Sequence, residues 1–111
     1  MNITNDFIRT EIEKQSYEIS LHADDERIAE SLTVFQLEFA LSNCEILEQY
    51  PNDPRGESCL TAGISPDGTP VHIVCGRNPL GHLVILLFTF QLCQSGKIRI
   101  QETYKRGIRI W

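Results

Sequence analysis

The 111 residues, 41% hydrophobic and 23% charged, suffice for one buried core and are too few for two domains. The net charge of −5 argues against a surface that binds phosphate throughout. The longest apolar run, Leu83 to Phe88, falls far short of the roughly 20 residues that a membrane-spanning helix needs, so a folded, soluble single domain is expected.

The start, MNITNDFIRTEIEK, carries acids early and has no apolar core of a secretory signal, which points to a cytoplasmic setting. Thr4 or Asn5 caps a helix over about Asn5 to Gln15, with Phe7, Ile8 and Ile12 on one side and Asp6 near the positive end of its dipole. Tyr17, Ile19 and Leu21 alternate with polar residues as a short strand does. Acids at the start of the next segment and Arg27 after them predict a helix from near Ala23, with Leu21, Ile28 and Leu32 turned inward. Thr33 and Gln36 have the spacing of a capping box, opening a helix that ends near Asn43 and buries Val34, Leu37, Phe39, Ala40 and Leu41. These last two helices are expected to cover one face of a sheet.

The sheet is read from residues 45–90. Glu45 to Tyr50 is its first long strand, with Ile46 and Glu48 on one side and Leu47 and Gln49 on the other, followed by a loop through Pro51 and Pro54. Ser58 to Ile64 and Thr69 to Cys75 flank Ser65-Pro66-Asp67-Gly68, a strong hairpin signal that sets Cys59 opposite Cys75. Asn78-Pro79-Leu80-Gly81 makes the next turn. The strand His82 to Phe90 lacks polar alternation and is expected to be central and covered on both faces, by helices on one and by a partner or the C-terminal tail on the other. Beyond it, Lys97 to Gln101 alternates basic with apolar residues, as a charge-blunted edge strand does. The expected class is α+β: an antiparallel sheet of four to five strands with N-terminal helices packed on one face.

Charge is distributed unevenly. Residues 1–57 hold thirteen of the fifteen acids, whereas residues 97–111 carry Lys97, Arg99, Lys105, Arg106 and Arg109 against Glu102 alone. Such a tail is either a solvated face or an anion-binding segment. Four widely spaced cysteines, Cys44, Cys59, Cys75 and Cys93, read as reduced and mostly buried thiols, with a Cys59–Cys75 disulfide as the alternative. Alternation sets His72 and Cys75 on opposite faces of one strand, which argues against zinc among Cys59, His72 and Cys75, so no metal or cofactor is expected.

Several strings together resemble a bacterial family: Ser20-Leu21-His22-Ala23, Arg27-Ile28, Tyr50-Pro51-Asn52-Asp53, Gly56 with Ser58-Cys59-Leu60, and Asp67-Gly68 with Pro70, His72 and Val74. The family is the domain of unknown function 4258. Its members are often encoded beside a YgiT-type zinc-finger protein and are regarded as toxins related to the RelE, ParE and BrnT group. The resemblance implies a RelE- or barnase-like fold, metal-independent RNA cleavage or another block of translation on the ribosome, and an antitoxin partner. After Phe90 the chain departs from the family pattern.

Cleaving RNA at a 2′-hydroxyl needs a base, an acid and cations. The catalytic candidates are His22, His72 and Arg27. His22 at a strand-to-helix junction serves equally as a backbone cap, and His72 as a satisfied core residue. For RNA binding the candidates are Arg77, Lys97 and Arg99, with Lys105, Arg106 and Arg109 adding charge and Tyr104 able to stack on a base. His82 reads as a solvated turn residue. The alternative function is a non-catalytic protein-binding module, a degenerate relative that retains only its contacts.

Overall fold

The computed structural model describes residues 2–54 and 56–90. Helix α1 (Asn5–Lys14) starts at Thr4, whose hydroxyl accepts from Phe7 N, and ends at Gln15 in the left-handed region. Strand β1 is only Glu18–Ile19. Helix α2 (Leu21–Ala29) begins two residues earlier than the acids suggest, because Ser20 is its cap and accepts from Ala23 N at 3.0 Å. Helix α3 (Val34–Ser42) carries the capping box, with Gln36 N donating to the Thr33 hydroxyl and Thr33 N to the Gln36 side chain.

Strands β2 (Glu45–Tyr50), β3 (Ser58–Ile64), β4 (Pro70–Arg77) and β5 (Leu83–Phe90) form an antiparallel meander, and β1 adds to β5 in parallel. The sheet order is β1-β5-β4-β3-β2, so the class is α+β with a mixed sheet. The central strand is β4, not β5 as its unbroken apolar run suggests. The run reflects cover on both faces, which any strand between two layers requires. Both turns form: Asp67 accepts from the Ser65 hydroxyl and from Thr69 N, and Asn78 Oδ1 accepts from Leu80 N and His82 N.

The first face of the sheet carries Cys59, Val71, Ile73, Cys75, Leu83, Ile85 and Phe88, which pack against Ile8 and Ile12 of α1 and Leu37, Ala40 and Leu41 of α3. Cys59 pairs with Cys75 across the hairpin as the turn position predicts, and both thiols are free and buried, as is Cys44. Burial pushes the Cys59 thiol up to about 12 and Cys75 well above its ordinary value, which disfavours the thiolate of both. The second face carries a separate cluster of Leu60, Val74, Val84, Leu86 and Leu87, with Leu47 and Tyr50 packed on it.

Three details differ from the pattern reading. Ile46 and Leu47 lie on opposite faces as expected, but a bulge between Ile46 and Glu48 breaks the alternation beyond them, so Gln49 leaves Leu47's side and exchanges hydrogen bonds with the Ile3 backbone. Helix α2 runs on from β1 along the edge of β5 rather than over the sheet. Leu21 and Ile28 are therefore 80% and 62% exposed, Ala23 is its buried residue, and Leu32 beyond it is buried as expected. On α3, Val34 and Phe39 stay partly exposed, because the helix meets the sheet through Leu37, Ala40 and Leu41 alone. The edge strand expected over 97–101 lies outside the described residues, as does Cys93.

Candidate functional site

Edge-on packing of α2 creates a place where charged side chains gather against the backbone of the sheet. Ser20 N donates to Ile85 O at 2.9 Å and its hydroxyl to Leu86 O at 3.1 Å, which fixes the start of α2 beside β5. Further along the helix, Glu26 Oε1 accepts from Phe88 N at 3.3 Å, taking the place of a strand that β1 is too short to provide. His22 lies on the same side of the helix at i−4, with Nε2 3.6 Å from that oxygen. Desolvation raises the Glu26 carboxyl above its ordinary value, outweighing the Phe88 N–H and the nearby His22.

A cleft of about 580 Å³ continues from Glu26 toward the β3–β4 turn, where Glu30, Gln36, Asp67 and Thr69 join its lining and Phe88 and Leu32 supply apolar wall. Its carboxylates suit a basic or protonated group better than a bare phosphate. The arrangement offers a histidine and a carboxylate of raised basicity within reach of one proton, on a rim that is open to solvent.

Among the described residues, the other candidates from the sequence have partners of their own. Arg27 clasps the end of α2: Nε donates to Asp24 at 2.9 Å and Nη1 to Leu32 O at 3.2 Å, while Leu32 N donates back to Arg27 O. In this arrangement its guanidinium holds the end of α2. His72 is buried on the second face of β4, opposite Thr89 in the ladder. Arg77, at the end of β4, pairs with Glu57 and stacks over the Phe7 ring at 4.3 Å, so it is neither exposed nor beside His22. Lys97, Arg99, Tyr104, Lys105, Arg106 and Arg109 lie outside the described residues.

Two side-chain pairings escape the sequence reading. Glu26 is legible only as His22 plus four, and only once α2 is known to begin at Leu21. His82 is not merely solvated: its Nδ1 lies 3.1 Å from Glu11 Oε1, which also accepts from Leu83 N at 2.9 Å. Burial works to raise the Glu11 carboxyl, but the Leu83 N–H, with Ser16 and His82, outweighs it and holds the group below its ordinary value. Among the described residues no cluster of three or more histidines, cysteines and acids could hold a metal ion, and no helix is long and apolar enough to cross a membrane.

Neither the curated proteins nor the solved structures contain a match to this chain. A family model, the domain of unknown function DUF4258, matches residues 19–88. That span runs from Ile19 at the end of β1 to Phe88 within β5 and takes in α2, the His22–Glu26 pair and all but the last two residues of the β2–β5 meander, well over half of the chain. The chain therefore belongs to the DUF4258 family.

Proposed function

We propose that this protein is the toxin of a toxin–antitoxin pair, acting in the cytoplasm as a metal-independent ribonuclease. The observation that supports this reading is the His22–Glu26 pair, open on one side and raised in basicity on the other. In the step proposed, Glu26 takes the proton of an RNA 2′-hydroxyl as that oxygen bonds to phosphorus. Protonated His22 gives its proton to the 5′-oxygen as the P–O5′ bond breaks, leaving a 2′,3′-cyclic phosphate and a free 5′-hydroxyl. A carboxyl of raised pKa is a stronger base than an ordinary one, and an imidazolium can serve as the general acid. The basic residues of 97–111 would bind the backbone phosphates, and His72 is given no step.

The test is purified full-length protein incubated with RNA in a chelator. Fragments ending in cyclic phosphate, with cleavage slowed about 100-fold or more by His22→Ala, are expected. Intact RNA under conditions where the protein is folded would contradict the reading. An antitoxin, possible as a YgiT-type zinc-finger protein, would then be the partner that abolishes cleavage when added.

A second reading, a non-catalytic protein-binding module, draws on a different observation. Arg27 and Arg77 are both committed to carboxylates, while Leu21, Ile28, Phe35 and Phe39 present apolar surface on α2 and α3. Binding of a partner without any RNA cleavage favours it.

A further inference from the structure

The cleft that runs from Glu26 to the β3–β4 turn has the sign of a cation site. Among the described residues that line it, three are carboxylates, Glu26, Glu30 and Asp67, and none is basic. His22 approaches Glu26 without joining the lining, and Arg27 donates to Asp24 and Leu32 O instead. The end of α2 adds to the negative charge: Ala29 and Glu30 form one wall, and a helix C-terminus carries a partial negative charge of its own. The start of α3 offers little in return, because its capping box takes up the N–H groups of Thr33 and Gln36. Glu26 is the carboxylate with most to gain from a cation, since it is partly withdrawn from water and Phe88 N, at 3.3 Å, is a distant donor.

Apolar wall stands among these acids, from Ala29, Leu32 and Phe88. A long aliphatic stem that ends in a cation satisfies both kinds of lining. Arginine does so best, because its guanidinium is weakly hydrated and forks onto carboxylates. A free polyamine also has stem and charge, but the surroundings favour a protein. Ile28, next to Ala29, is 62% exposed and Phe35, next to Gln36, 67%. The Phe35 ring lies 6.3 Å from that of Phe39 on the outer side of α3. Exposed apolar surface beside a charged pocket suits a protein that anchors through one arginine. We propose that the cleft receives an arginine side chain of a partner protein, whose apolar neighbours pack on Ile28 and Phe35. Seated there, the guanidinium pairs with Glu26 and makes its carboxylate a weaker base, which silences the His22–Glu26 pair. The seat stands on the cleft alone, and only its effect on the pair rests on the ribonuclease reading.

The probe is a blocked pentapeptide with one arginine between two leucines, added to the isotope-labelled full-length chain. Saturable nuclear magnetic resonance shifts are expected at the amides of Glu30, Gln36 and Thr69 and at the carboxyl carbons of Glu26, Glu30 and Asp67. Replacing the arginine by neutral citrulline, or the chain by its Glu30→Gln/Asp67→Asn variant, is expected to weaken binding about fivefold or more, the worth of one good exposed ion pair. No saturable shift at these groups, equal binding of the citrulline peptide, or spermidine binding as tightly as the arginine peptide would overturn the proposal. Shifts that grow with protein concentration alone would make a second copy the occupant and overturn it too. RNA cleavage by the same samples tests the silencing separately, and cleavage unaffected by saturating peptide would contradict it. A chain that binds the peptide yet cleaves no RNA would contradict the ribonuclease reading and leave the seat in place.

Discussion

Gly63 lies so close under α3 that a Cβ added to it would stand 2.2 Å from the carbonyl oxygen of Ala40. Helix and strand backbones must separate to admit even a methyl group, so Gly63→Ala is expected to cost about 1–3 kcal/mol in chemical denaturation. Gly68 makes a useful contrast. It has φ +89 and open space around its missing side chain, so Gly68→Ala pays only the conformational penalty, about 1 kcal/mol. Glu26 yields a pH prediction. Its folded value is raised, so the ionised carboxylate costs stability above the ordinary 4.5, and that cost disappears as the pH falls below it. Glu26→Gln should therefore be more stable than the wild type at neutral pH and converge with it in acid, as read from urea midpoints across the pH range. The same variant is expected to lose cleavage while gaining stability, which separates a catalytic role from a structural one.

At the level of the element, the helix ends were the most legible feature, because capping is a local matter of side-chain oxygens and nearby amides. Thr4, Thr33 and Gln36 act as their spacing indicates, and Thr33→Ala is expected to cost about 1 kcal/mol, measured by thermal or urea unfolding. The hairpin turn and the Cys59–Cys75 register were legible for the same reason. The placement of α2 was not, since Leu21 and Ile28 have the spacing of a buried stripe but face water once the helix takes the position of an edge strand. The β2 bulge was likewise hidden, because one extra residue leaves composition unchanged and reverses the faces beyond it. Glu11 could be read from sequence only as a surface acid on α1, yet it ties that helix to the start of β5. Its folded value is lowered, so it contributes stability above 4.5, and this is lost as the pH falls through the folded value. Glu11→Ala leaves the buried Leu83 N–H without its acceptor and should cost about 1–3 kcal/mol at neutral pH, with a smaller deficit in strong acid.

Across the whole molecule, the sheet separates two environments. One face is closed by α1 and α3, while α2 along the β5 edge brings His22 and Glu26 to solvent beside an acid-lined cleft. The described residues contribute most of the acids, and the concentrated positive charge of the chain lies in 97–111. The proposed site thus needs both halves: acid and base from the family core and phosphate-binding charge from the tail. In the sequence His22 stands alone, because its neighbour Glu26 becomes visible only through helix phase. The most direct measurement is induced expression of the intact chain in a bacterial host, following growth and total RNA, beside His22→Ala, Glu26→Gln and a Lys105→Ala/Arg106→Ala double variant. The account predicts growth arrest with RNA fragmentation for the wild type and relief in all three variants. Normal growth and intact RNA with abundant folded wild-type protein would contradict it.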